Sequence, residues 1–482
     1  MKITIKAILI NVPEEKIKII DNLMTVFCSA VRYSFKRILD NMRIGDIEKD
    51  IAHKYGLNIR QSKDAAENAR QTIASQKELI KMNYGNYLKK AAAIENILNN
   101  TNKKLSDKKR NALIKKLEKR QRKLNYYKSF IDSNTIPPVT FGTKEMFIKR
   151  CKGLISREQW RECRSNRLCS RGDKTKKGNP NLRIISNDSR TFLEISTLDK
   201  TETNRAVKMQ IEIYLPQKLS RTTGKVNGRN YRQMFLDYLK TGEAYQVELI
   251  RRKDRYYCHI TFEEDTVTQC HIINIGHNGV MGIDTNPDSL ALTMIDNKGN
   301  YKWHTYIRNG ELTYARSNRR QNLCGEIIKK VIQTAETYGA GIAVEDLKFL
   351  NDKDVNNKFA RIKHQFIYRQ LLSMLECACR RNGIEISKVK PQFTSKIGLY
   401  KYCHQYGMAV HNGAAMVIAR RSYKFKEKVS KDLREKLITD PYSFNNKSEW
   451  AKWNEIHKNI KRKAGEKPAL WLINRKKILG LV

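Results

Sequence analysis

This 482-residue chain has no paired-thiolate motif and no long uncharged apolar run. Its ten cysteines, at 28, 151, 163, 169, 258, 270, 324, 377, 379 and 403, never stand as Cys-x-x-Cys. A zinc ribbon needs two close thiolate pairs, and neither Cys163 with Cys169 nor Cys377 with Cys379 supplies them, so no zinc is expected. A disulfide framework is equally unexpected in a chain of this length that opens without a secretory signal, which favours a reducing cytoplasm. The lack of an apolar span or lipidation motif argues against a membrane partner. Acids are the other scarcity. Only 49 Asp and Glu stand against 94 Lys and Arg, for a formal charge of +45 and a pI near 9.9. Such a charge repels itself, and a polyanionic partner is the natural inference. Forty per cent hydrophobic residues mean a folded protein and not a basic tail.

The opening MKITIKAILI alternates as a strand with Ile3 and Ile5 on one face. Pro13, Glu14 and Glu15 then start a helix whose stripe runs Ile17, Ile20, Met24, Phe27, Val31, Phe35 and Ile38. Helical patterning continues to about residue 131. Within it, residues 103–128 carry twelve Lys or Arg against two acids, over a seam of Leu113, Leu117 and Leu124. A solvated face of snorkelling lysines is one reading. A phosphate-tracking helix is favoured, with Lys103, Lys104, Lys108, Lys109, Arg110, Lys115, Lys116, Lys119 and Arg120 as its contacts. Pro137 and Pro138 break the helical region. The runs LRIIS, TFLEIS and VKMQIEIYL, and a hairpin turning near Lys253–Arg255, then predict a β-domain to which the first strand belongs.

From residue 276 strands and helices alternate, in a ββ…αβαβα order with acids at strand ends that fits an RNase H-like α/β core. Asp284 ends the apolar run GVMGI, and Glu345 ends GIAVE. Two carboxylates on neighbouring strand ends can share a divalent cation, and Mg²⁺ takes hard oxygen ligands while keeping positions open for phosphate and water.

GIDTNPDSLALTMID, AVEDLKF and AAMVIARR resemble the three RuvC motifs of transposon-encoded TnpB nucleases and of the compact type V CRISPR effectors. Residues 389–421, VKPQFTSKIGLYKYCHQYGMAVHNGAAMVIARR, are similar to a TnpB branch that lacks the zinc ribbon. The likeness covers about 276–421 and extends weakly to FGTKEMF, GLISREQW and GNPNLRI. It implies an α+β multidomain protein. Residues 1–14 would begin a wedge β-barrel, 15–135 form an inserted helical recognition domain, and 136–275 continue the barrel. Residues 276–425 would be a RuvC nuclease core with a short 396–406 loop replacing the ribbon, followed by a basic tail, 426–482. The activity implied is RNA-guided DNA endonuclease: a guide RNA pairs with target double-stranded DNA beside a short flanking motif, and one Mg²⁺ (or Mn²⁺) site cuts. A cytoplasmic, nucleoid-associated prokaryotic monomer is expected. By the match Asp284 and Glu345 are catalytic metal ligands. Anchoring on the Ala-Ala pair puts His411 where the family commonly has Asp. Three readings of His411 stay open: a neutral imidazole ligand, a structural or water-positioning residue with Asp288 or Asp346 completing the site, or a dead site in an RNA-guided repressor. An RNase H-like transposase acting without RNA is a further alternative. In place of the ribbon, Lys396, Tyr400, Lys401 and Tyr402, with Arg420 and Arg421 beyond, are basic and aromatic candidates for nucleic-acid contact, the alternative being a plain loop packed on the core.

Overall fold

The computed structural model describes residues 2–99, 105–187, 190–203, 205–217, 219, 224, 229–264, 278–347, 366–464, 471–472, 475–477 and 479–480. It divides into two compact units at 264/265. No described helix is long and apolar enough to cross a membrane.

In the first unit, β1 (Lys2–Leu9) buries every second side chain, Ile3, Ile5, Ala7 and Leu9, as its alternation predicts. The chain then runs through the helices α1 (Glu14–Leu39), α2 (Ile44–Tyr55), α3 (Ile59–Leu98) and α4 (Asp107–Asp132). The α1 stripe is buried at Ile20, Leu23, Met24, Phe27, Val31 and Phe35, and shares one continuous core with the strands. α3 opens on a capping box between Asn58 and Gln61 and spans about 60 Å. The short helices α5 (Lys144–Cys151) and α6 (Arg157–Cys163) follow.

The remaining strands are β2 (Arg167–Ser170), β3 (Leu182–Ser186), β4 (Thr191–Lys200), β5 (Ala206–Tyr214), β6 (Gln246–Arg252) and β7 (Arg255–Glu263), with α7 (Tyr231–Lys240) between β5 and β6. They join β1 in a seven-stranded antiparallel sheet, ordered β2-β6-β7-β1-β5-β4-β3. The β6–β7 hairpin turns at Lys253, whose φ is +54°. Among the described strands β2 and β3 are the edges, and no ladder bridges them. A buried amide spans the gap instead. Asn179 donates to the carbonyls of Ser170 and Tyr245 and accepts from the N–H groups of Asn181 and Leu182.

The second unit holds β8 (Val280–Asn286), β9 (Ser289–Ile295) and β10 (Tyr301–Arg308) as an antiparallel meander. β11 (Gly341–Glu345) lies parallel to β8, and β12 (Ile386–Val389) parallel to β11, giving the order β10-β9-β8-β11-β12. The helices α8 (Ser317–Tyr338) and α9 (Phe366–Arg381) supply the crossovers. Period-two alternation sorts the strands. Met281, Ile283, Ile342 and Val344 pack in one cluster with α8 and α9, whereas Val280 and Ala343 pack on the opposite face with α10 (Val410–Ser422).

α10 lies against β8 because both present small residues. A Cβ on Gly282 would stand 1.9 Å from the Ala415 carbonyl oxygen and 2.7 Å from Ala419 N. Gly413, at the first turn of α10, meets Gly398 as closely, with a Cβ on Gly398 only 2.3 Å from Gly413 C. The Gly-Ala-Ala run thus has a packing role of its own. Gly282→Ala is expected to lift α10 off the sheet, at about 3 kcal/mol in chemical denaturation. An unchanged midpoint would mean that the backbone contact is not needed.

Two expectations change here. The expected 396–406 loop is helical, running Thr394–Ile397, a π segment Gly398–Cys403 and His404–Tyr406. The basic tail is no appendage either: Leu433, Phe444, Trp453, Ile456, Ile460 and Trp471 are buried in one cluster with Val280 and α10. Apolar positions at helical spacing in Glu449–Ala464 sit among lysines that mask them in the sequence.

Candidate active site

β8 and β11 run parallel, so their C-terminal ends share one edge of the sheet. The register pairs Ile283 with Val344, which sets the next residues, Asp284 and Glu345, side by side. The same alternation that buries Ile283 and Val344 on the α8 face turns both carboxylates to the α10 face.

α10 meets them with its first turn. His411, its second residue, donates from Nδ1 to Asp284 Oδ2 at 2.8 Å; a carboxylate can only accept, which fixes the proton on Nδ1. Asp284 is nearly buried, at 10% side-chain exposure, and His411 half open, at 46%. That hydrogen bond, aided by the charges of Asp284 and Asp288, raises the imidazole above its ordinary pKa against the opposing effect of burial. The next residue, Asn412, is buried and clamps α10 to the meander, donating to the carbonyls of Leu292 and Thr305 while its own carbonyl accepts from Thr293 Oγ1. Asn286 Nδ2 donates to Asp284 Oδ2 at 3.2 Å.

Glu345 is held from the other side. Thr394 Oγ1 donates to Glu345 Oε1 at 2.6 Å. Arg421, lying over Trp450, donates to the carbonyls of Lys390 and Gln392 and so ties down the approach to Thr394. Burial pushes the Glu345 carboxyl up, the Asp284 charge adds to this, and the Thr394 hydrogen bond opposes it. Burial also pushes the Tyr368 phenol on α9 up to about 12, with Asp284 and Asp288 contributing.

The structure therefore brings together all three predicted residues, Asp284 and Glu345 as neighbouring carboxylates and His411 hydrogen-bonded to Asp284. Among the described residues no three His, Cys, Asp or Glu side chains are disposed to hold a metal ion. Asp288 accepts from Ser289 Oγ at 2.8 Å and lies 3.6 Å from Arg308 Nε. Thr394 is the residue that sequence reasoning did not assign to the site; only its place before the last motif marked it.

The nucleic-acid candidates separate sharply. Lys103 and Lys104 lie outside the described residues. Lys108, Lys109, Arg110, Lys115, Lys116 and Lys119 are exposed along α4, and Arg120 is half-buried over the Tyr87 ring. Lys396 is half-buried over Phe393. Lys401, Tyr402 and Arg420 are corrected: all three converge on Glu427. Lys401 Nζ and the Tyr402 hydroxyl donate to Glu427 Oε2 at 2.7 and 2.5 Å, and Arg420 Nε donates to Oε1 at 2.8 Å. Glu427 is 6% exposed and Tyr402 3%, so these side chains serve the interior. Tyr400 likewise is buried, its hydroxyl 2.7 Å from His457 Nδ1.

No curated protein matches the chain. Among solved structures, Thermus thermophilus RuvC is 16% identical over 30% of this chain and 93% of its own, with a TM-score of 0.23. The same RuvC in complex with a Holliday junction substrate is 17% identical at the same coverage and score. A Cas12f1–sgRNA–target DNA complex is 10% identical over 87% of this chain and 99% of its own, with a TM-score of 0.24. Likenesses this distant decide nothing about the chain. The family model for the SSO2105 N-terminal domain matches residues 2–271, more than half of the 482, and the chain belongs to that family.

Proposed function

We propose that this protein is a metal-dependent nuclease with an RNase H-like core of the RuvC type, and more specifically an RNA-guided DNA endonuclease of the TnpB and type V kind. One observation carries the reading. Asp284 and Glu345 stand side by side on adjacent parallel strands, turned to the same helix, in a partly buried setting where the Asp284 charge works against that of Glu345. A meander followed by two parallel strands is the order expected of that core.

The donor set fits a hard divalent cation, since two neighbouring carboxylates held in low dielectric are relieved by a shared positive ion. Asp284 and Glu345 would hold Mg²⁺ or Mn²⁺, and the ion when bound would activate water and neutralise charge developing on a scissile phosphate. The chain's own residues do the positioning. His411 fixes Asp284 through Nδ1–H, and Thr394 fixes Glu345. The excess of 45 positive charges draws in the polyanion. The exposed lysines of α4 offer sequence-independent phosphate contacts, as guided recognition requires when base pairing carries the specificity.

In this reading His411 acts through its hydrogen bond to Asp284. His411→Ala is expected to slow cutting about 10- to 100-fold, the usual cost of removing a ligand's hydrogen-bonded support, with part of the loss recovered at high Mg²⁺. Initial rates across a Mg²⁺ titration measure this. Wild-type rates at every concentration would remove His411 from the site.

The function itself is tested by sequencing the RNA that co-purifies and offering DNA that matches it. Cutting in Mg²⁺ is expected, and none in chelator. RNA-loaded protein that binds this DNA but cuts in neither Mg²⁺ nor Mn²⁺ would be a guided repressor. RNA-free protein that binds DNA ends would be a transposase.

A further inference from the structure

A cluster of arginines is built into a cavity of the first unit, remote in sequence from the acidic pair. A cavity of about 290 Å³ opens between α1, α3 and the segments 139–142 and 163–167. Its apolar wall is Phe27, Val31, Val139 and Phe141, and three arginines, Arg32, Arg164 and Arg167, line the remainder. Arg167 is paired with Glu248. The other two have no carboxylate partner among the described residues. Instead Arg32 donates to the backbone carbonyl of Arg164 at 2.6 Å and to Ser29 Oγ at 2.8 Å, and both arginines line the same cavity.

Among the described residues no carboxylate is paired with either guanidinium group. Burial and the neighbouring Arg164 both work against the Arg32 charge, and the nearby groups that favour it are a thiol, Cys28, and a phenol, Tyr55. Arg164 lies against the Trp160 ring, and its Nε is buried without a hydrogen-bond partner. The chain closes tightly over it at Gly142, where φ is +92° and a Cβ would stand 2.7 Å from Arg164 Cγ. Two like charges forced together on an apolar wall are costly unless an anion completes them. Guanidinium groups match a phosphate's oxygens by charge and by fork geometry. A volume near the lower end of ligand pockets, roughly 300 Å³, admits one nucleotide-sized group and no duplex.

We infer that this cavity binds a phosphate of a nucleic-acid strand, clamped by Arg32 and Arg164, with Asn68 and Thr72 of α3 as neutral partners. The inference rests on the nucleic-acid reading above, and adds to it a contact set in a cavity instead of an exposed lysine face. Arg32 then has two duties: it ties the 163–167 turn to α1, and it carries half of the anion's counter-charge.

The test uses the full-length protein freed of co-purified nucleic acid, with a short fluorescein-labelled single-stranded RNA and a DNA duplex of the same sequence as probes. Affinity is measured against KCl concentration. Arg32→Gln with Arg164→Gln should lower the slope of log affinity against log salt by about one for each arginine on at least one probe, and that probe identifies the strand. Thr72→Glu supplies the missing carboxylate from α3. It should cause a similar loss while the free protein melts no lower than wild type. A merely structural role for the arginines would lower the melting temperature and leave every salt slope unchanged, and that result overturns the site. Wild-type protein that binds neither probe would overturn the nucleic-acid reading itself.

Discussion

Asp284→Asn and Glu345→Gln are each expected to reduce cutting of a matched DNA by about a thousandfold or more, with RNA and DNA binding retained. The size follows from what the pair would hold. A catalytic divalent ion stabilises the reacting phosphate by several kcal/mol, and each 1.36 kcal/mol is a factor of ten in rate. Both replacements keep the side chain's shape, so the hydrogen bonds from His411 and Thr394 retain an oxygen acceptor. Loss of cutting would then report lost charge and not collapse of the site. Either variant cutting at the wild-type rate would remove that carboxylate from the chemistry.

The second large effect concerns stability. Glu427→Gln is expected to destabilise the second unit by about 3–5 kcal/mol, since it removes a carboxylate paired with both Lys401 and Arg420. Those side chains are only 21% and 18% exposed, so water cannot replace the lost charge cheaply. The same residue accepts from the Tyr402 hydroxyl, and its backbone carbonyl accepts from Trp453 Nε1 at 2.7 Å. Glu427 therefore joins α10, the π segment and the C-terminal helix Glu449–Ala464. At about 2–4 °C per kcal/mol for a unit of this size, the melting temperature should fall by roughly 6–20 °C. A shift within about 1 °C would mean that the cluster is solvated in solution and contributes little.

The legible part of this protein was what periodicity encodes. β1, the α1 stripe and the β6–β7 hairpin follow from alternation, spacing and a tight turn. The end of β11 was equally plain, because Glu345 closes an apolar run, whereas β8 runs two residues past Asp284 to Asn286. What the pattern could not carry was pairing at a distance. Lys401, Tyr402 and Arg420 read as a basic aromatic surface because nothing in the chain joins them to Glu427, 26 residues beyond Lys401. Thr394 escaped for the same reason, lying 49 residues from the carboxylate it holds. His411 was recognised by place, but its hydrogen bond to Asp284 joins residues 127 apart, which no spacing encodes. Asn179 shows the converse. Its GNPNLRI setting was noticed, yet its work of spanning the gap between β2 and β3 needs the fold to be seen.

Titration of Mn²⁺ into the nucleic-acid-free protein, followed by the electron paramagnetic resonance of the free ion, tests the central claim most directly. Wild-type protein should take up Mn²⁺ at a site that Asp284→Asn combined with Glu345→Gln removes, while His411→Ala weakens that site without abolishing it. Identical uptake by the wild type and the double variant would contradict a metal centre at the paired strand ends.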